Sequence, residues 1–156
     1  MDKHPTPSPP SSSRPGRNKA PVYVLDDQVG FILRQAYQKH ALLFAEYFGD
    51  DLTPTQWAAI AKLGEAGGCS QNLLGRMTAM DAATIKGVVD RLTKRGYVES
   101  SPSPTDRRRV LIALTAAGRK AYEGGVARAL RVSSETLRAL KPRERMLLLR
   151  LLKQLG

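Results

Sequence analysis

The sequence predicts a mainly α-helical fold with one small β-hairpin wing, a winged helix-turn-helix ordered as four helices, the hairpin and two further helices. Three observations predict it. Capped segments with apolar residues every three and four positions fill the first part of the chain. Near residue 97 the period becomes that of strands, for two short runs around a turn-rich loop. Positive charge, a net +11 overall, gathers on the fourth helix and on that loop.

Residues 1–20 hold five prolines and four serines, with only Met1 and Ala20 apolar. Such a stretch buries too little surface to offset its ordering entropy and is expected to form a disordered arm. Its four cations against Asp2 carry +3, leaving +8 for the other 136 residues. The arm suits either phosphate contact or simple solubilisation.

A first amphipathic helix is expected from Asp26 to about Phe48, on the stripe Val29, Ile32, Leu33, Ala36, Tyr37, Leu43, Phe44 and Tyr47. Thr53-Pro54-Thr55-Gln56 announces the second: an N-cap, a proline at the first helical position and a glutamine that closes a capping box. That helix should bury Trp57, Ile60, Ala61 and Leu63 and stop at Gly67-Gly68. Ser70 caps a short third helix with Leu73, Leu74 and Met77, and Asp81 caps a fourth that Gly96 stops. Tyr97–Ser101 and Val110–Leu114 are the expected strands around Pro102-Ser103-Pro104-Thr105-Asp106. Thr115 restarts helix to about Leu140, weakened at Gly124-Gly125, and Pro142 opens a Leu-rich last helix. The division expected is residues 21–50 and 115–156 for dimerisation and 51–114 for the winged helix-turn-helix, with an obligate homodimer covering apolar surface too large for one small winged domain.

On a helical projection of the fourth helix, Ala82, Ile85, Val88, Val89 and Leu92 share one face, which must pack inward. The opposite face gathers Ala83, Gly87, Asp90, Arg91 and Lys94, with Thr84 and Lys86 on its flanks. Small residues there admit a helix deep into a major groove. Thr84 and Lys86 reach base edges, and Arg91 and Lys94 suit phosphates. Asp106-Arg107-Arg108-Arg109 packs like charges into a turn that does not need them, and an acidic phosphate surface offsets the repulsion. Residues 84–120 alone hold a net +6. Ser70 and Gln71, at the start of the third helix, complete the expected DNA-facing set.

The run from Asp81 through Val88-Val89-Asp90-Arg91-Leu92 to Arg95-Gly96-Tyr97-Val98 is followed by Asp106-Arg107-Arg108 and then Leu114-Thr115-Ala116-Ala117-Gly118. This run resembles the MarR family, with its "VDRLxxRGxV" recognition helix, "DxR" wing and "LTxxG". The resemblance covers about residues 26–156. It implies a two-fold dimer built by the first and last two helices, with Arg108 as the wing arginine and Asp106 its partner. The DNA partner would be an inverted repeat, read by two helices about 34–36 Å apart.

The resemblance also implies release from DNA by a small aromatic acid, here of the hydroxynicotinate or benzoate type. His40 is the candidate donor, with Tyr37, Phe44, Trp57 and Met77 as possible lining; each is equally at home in a core or an interface. Cys69 offers a redox alternative if a helix N-terminus lowers its pKa, and is otherwise an inert small residue. A non-specific architectural DNA binder is the second alternative. No nucleophile–base arrangement, metal-ligand spacing or phosphate loop can be placed, so neither an enzyme, a cofactor nor a metal is expected. No apolar run approaches the ~18 residues that would span a bilayer, and a cytoplasmic, membrane-free protein is expected.

Overall fold

The computed structural model describes residues 21–106, 108 and 110–155. The expectations for the arm at 1–20 and for Arg107 and Arg109 lie outside the described residues. A 3-10 turn (Leu25–Asp27) leads into α1 (Val29–Phe48), α2 (Pro54–Ala66), α3 (Gln71–Met77) and α4 (Ala82–Lys94). Then come β1 (Val98–Pro102), β2 (Val110–Leu114), α5 (Ala116–Thr136) and α6 (Pro142–Leu152). This is the expected winged-helix order.

Side-chain caps set the helix starts. Thr53 accepts from Gln56 N–H while the Gln56 side chain accepts from Thr53 N–H, the full capping box. Ser70 accepts from Leu73 N–H, Asp81 from Thr84 N–H, and Thr115 from Gly118 N–H. Three boundaries differ from expectation. α1 starts at Val29 because Gln28 N–H returns to the Leu25 carbonyl, closing the 3-10 turn first. β1 starts at Val98 because Tyr97 N–H still bonds to Leu92 O across Gly96 (φ 71°), as part of the helix cap. α5 ends at Thr136 because Arg138 and Leu140 bond three residues back, tightening the chain into turns.

The core joins Phe44 and Phe48 of α1, Ile60 and Leu63 of α2 and Leu74 of α3 to Ile85, Val88, Val89 and Leu92 of α4, with Val98 and Ile112 of the hairpin beneath. Each such side chain contributes about 1.5–3 kcal/mol by leaving water. Ala82, expected on the packed face of α4, is exposed; it sits in the first turn, where the cleft bordered by Asp81 and Thr84 separates the helix start from α2. Trp57 and Ala61 are half-buried instead of buried. β1 and β2 pair antiparallel with Val98 opposite Leu114 and Pro102 opposite Val110. Cys69 adds a bridge to Ile112, so the segment before α3 is hydrogen-bonded to the wing.

The glycines in α5 do not interrupt it. Gly125 is buried, and a Cβ there would enter the Trp57 ring, while a Cβ on Gly64 of α2 would lie 2.7 Å from Tyr122. Each helix therefore offers a notch for the other's aromatic ring, with Trp57 and Tyr122 stacked at 6.2 Å. Gly118 serves likewise: a Cβ would collide with the Tyr97 carbonyl. Gly125→Ala should destabilise the fold by about 1–3 kcal/mol through overpacking. Gly124→Ala, where a Cβ meets nothing within 4 Å, should instead stabilise it by about 0.5–1 kcal/mol. Chemical denaturation separates the two variants, and equal shifts would remove the Trp57 notch as a constraint.

Candidate nucleic-acid interface

Two turns of backbone aim α4. Gly75 lets the end of α3 approach it: a Cβ at that position would lie 3.1 Å from Met80 O and 3.2 Å from Ile85 Cγ2. After Met77 the chain turns through Ala79 at φ 52°, and Met80 N–H returns to Gly75 O at 2.9 Å. An alanine held in that left-handed conformation costs roughly 1 kcal/mol. Asp81 then caps α4, its carboxylate accepting from Thr84 N–H at 2.7 Å. With Ile85, Val88, Val89 and Leu92 buried, the helical period leaves Thr84, Lys86, Arg91 and Lys94 exposed and Gly87 half-covered.

These side chains are already arranged among themselves. The Arg91 guanidinium lies back over Gly87, with Nη1 3.6 Å from where a Cβ would stand. Lys86 Nζ bonds to Asp90 Oδ2 at 2.7 Å. Asp90, placed on this face by the sequence but not among its expected contacts, is therefore part of the charged surface; its central position on the projection was the available signal. Arg95 is employed internally, donating to the Asp51 carbonyl and lying 5.0 Å over the Tyr97 ring. At the wing, Arg108 is exposed, and its N–H donates to Asp106 Oδ1 at 3.0 Å in an Asx turn. Ser70 and Gln71 at the start of α3 are half-buried. Together the arrangement offers hydrogen-bond donors and cations on one helix face and one hairpin tip, chemistry suited to phosphates and base edges.

The residues expected to line a ligand pocket do not converge. A cleft of about 340 Å³ opens between α1, the start of α2 and the α3–α4 turn. It is lined by Tyr37, Pro54, Thr55, Ala58, Thr78, Ala79, Met80, Asp81 and Thr84. Of the five expected residues Tyr37 lines it. His40 stands beside Tyr37, ring centroids 6.3 Å apart, with Nδ1 2.9 Å from Thr136 Oγ1 of α5. Phe44 is buried and stacked on Phe48, while Trp57 borders a separate cleft with Tyr122. Met77 is half-buried outside both, and Met80 lies where a methionine was expected. Helical spacing groups residues on one element; the turn at Ala79, which brings Thr78 and Met80 to the cleft, has no such pattern.

Cys69 is buried, and that burial pushes its thiol pKa up, away from the reactive thiolate. Among the described residues no group of acidic, His and Cys side chains could hold a metal, and no helix is long and apolar enough to cross a membrane.

Residues 50–109 match the model of the MarR family. The chain is 37% identical over 134 residues to the HTH-type transcriptional repressor NicR of Pseudomonas putida, covering 85% of each. A crystal structure of a probable transcriptional regulator from Pseudomonas aeruginosa is similar at 55% identity and a TM-score of 0.81, across 85% of this chain and all (100%) of that one. Bordetella bronchiseptica BpsR, whose DNA binding is regulated by 6-hydroxynicotinic acid, is similar at 36% identity and a TM-score of 0.83, across 86% of this chain and 97% of its own.

The Asp81 cap gives α4 a pH dependence. Hydrogen bonds from Thr84, the backbone N–H first, hold the Asp81 carboxyl below the ordinary carboxylate range. A depressed acid contributes stability above its unfolded value, and that contribution is lost as pH falls through the folded one. Amide-exchange protection at Thr84 should therefore fall in Asp81→Ala at about pH 6, and by progressively less as pH is lowered below the ordinary carboxylate range. Equal loss at every pH would mean the carboxylate charge is not what caps the helix.

Proposed function

The chain belongs to the MarR family of transcription regulators, and from that premise we propose a homodimeric repressor that binds an inverted-repeat operator and is released by a small aromatic acid. It is a DNA-binding regulator and not an enzyme. The observation that carries the operator reading is the division of α4. Its buried apolar ridge leaves Thr84, Lys86, Gly87, Arg91 and Lys94 outward, beside an exposed Arg108. In this reading α4 lies in the major groove, and Ser70, Gln71 and the wing residues Asp106 and Arg108 flank it. Lys94 and Arg91 meet phosphates while Thr84 and Lys86 meet base edges.

Unpartnered apolar surface supports the dimer. α6 buries none of its residues against the chain, although Met146, Leu147, Leu149 and Leu151 are all exposed. The first half of α1 is equally bare, with Val29 66% and Ile32 48% exposed. Residues 21–50 and 115–156 would supply the interface and 51–114 the DNA-binding part. Two copies then carry two recognition helices about one DNA turn apart.

The cleft supports the effector reading. It shares Asp81 and Thr84 with α4, so a ligand seated there touches the helix that enters the groove. Tyr37 offers a ring face, and His40 next to it can donate to a carboxylate. A hydroxynicotinate-like or benzoate-like acid fits a site of this size and chemistry. The burial of Cys69 argues against the redox alternative. A purely architectural role would leave the cleft without a task.

Two experiments test this. In shift assays against its own promoter, the protein should sediment and bind as a dimer and prefer that DNA to scrambled competitor. Arg108→Ala should weaken binding and flatten the salt slope by about one unit per wing. A monomer, or an unchanged slope, counts against the arrangement. In the second, 6-hydroxynicotinate and benzoate are titrated into the complex. His40→Ala should keep DNA affinity yet need about tenfold more ligand for release, or about 1.4 kcal/mol. Equal release by the variant would return His40 to a structural role, joining α1 to Thr136 of α5.

A further inference from the structure

Asp90 stands at the centre of the outward face of α4. At about 100° per residue it aligns with Ala83, Gly87 and Lys94, opposite the buried ridge. Its carboxylate bonds to Lys86 at 2.7 Å, with the two side chains 54% and 65% exposed. The Lys86 hydrogen bond and the charges of Lys86, Lys94 and Arg91 favour the ionised carboxylate, yet helix stability gains little from an acid there. The cation precedes the anion, the weaker order for a pair four residues apart. The carboxylate lies in the C-terminal half of the helix, toward the negative end of its dipole. Aspartate is also a poor helix former, and exposed ion pairs add little to stability. In a phosphate-lined groove an anion also lowers general affinity.

The major groove supplies a reason. A G·C pair presents guanine N7 and O6 as acceptors and, beside them, the cytosine N4 amino donor. An ammonium only donates and a carboxylate only accepts, so the Lys86–Asp90 pair complements that edge as it stands. At an A·T pair adenine N7 still accepts, but an amino donor replaces O6 and the thymine O4 acceptor replaces the cytosine amino group. The ammonium keeps one acceptor instead of two, and the carboxylate meets a donor flanked by acceptors on both sides. We propose that Lys86 and Asp90 act as one unit reading a single G·C pair in each half-site, and that Asp90 is the specificity-determining member. On unrelated DNA the two stay paired, Lys86 is withheld from phosphates, and Asp90 repels them. On the operator each exchanges its partner for a base edge.

This rests on the operator reading above, and the experiment keeps the two apart. Random-sequence duplexes selected on the full-length chain define the preferred half-site, and each base pair is then substituted singly at fixed salt. One G·C position per half-site should cost the wild type about 5–100-fold when changed. Asp90→Asn should flatten that position to about threefold or less while leaving the others. It should also tighten binding to unrelated DNA and steepen the salt slope there by about one unit per protomer. Lys86→Gln should flatten the same position, and the double variant should flatten it no further. An unchanged profile in Asp90→Asn, or a loss spread evenly over all positions, overturns the inference alone. A selection that returns no preferred half-site overturns operator binding, and this inference with it.

Discussion

What the surface of this chain presents depends on how α4 is buried. Four side chains, Ile85, Val88, Val89 and Leu92, are almost wholly removed from water. A helix so anchored cannot rotate without exposing apolar area worth several kcal/mol. Its rotation is set from one side and read on the other. Gly75 permits the close crossing by α3, Asp81 fixes the first turn, and Gly96 ends the helix and turns the chain into the hairpin. The outward charges inherit their positions from these apolar contacts.

The rest of the fold holds this unit against the long helices. Trp57 enters the notch at Gly125 and Tyr122 the notch at Gly64, so α2 and α5 interlock rather than slide. Thr115 caps α5 and also donates to Gly96 O at 2.6 Å, while Gly118 brings α5 against the Tyr97 carbonyl. The "LTxxG" pattern thus has a mechanical meaning: it fastens α5 to the junction of α4 and β1. Asp51 adds a second fastening, accepting from Arg95 and from Arg128 at 2.9 Å. Packed elements of this kind transmit a small displacement instead of absorbing it. The cleft that includes both Tyr37 and Thr84 lies apart from these fastenings, between α1, the start of α2 and the α3–α4 turn.

Charge is divided between internal and external duties. Arg95 and Arg128 are spent on contacts within the chain, on Asp51 and on the faces of Tyr97 and Phe48. Lys86, Arg91, Lys94 and Arg108 are exposed, and exposed pairs add little to stability. Their place on the outward face of α4 and on the hairpin tip suits a polyanionic partner and adds little to the fold, while α5 and α6 carry further cations of their own.

Element order, caps and the two faces of α4 were legible from the sequence, because each is written in local chemistry. Thr53-Pro54-Thr55-Gln56, Asp81 and Thr115 announce helix starts through backbone donors that neighbouring side chains must satisfy, and a period of three and four residues marks a buried ridge. The shift from α4 to strand was legible too, through Gly96. What lies between elements was not. No local signal says that Gly125 is a socket for Trp57 and not a weak point, since the reason sits 68 residues away in another helix. Nor does one say that Tyr37 meets Met80 and Thr84 across a cleft while Phe44, on the same stripe, is sealed in the core. Local hydrogen bonding and periodicity determine each segment alone; which segments touch, and where space remains between them, is decided only when all the apolar faces are buried together.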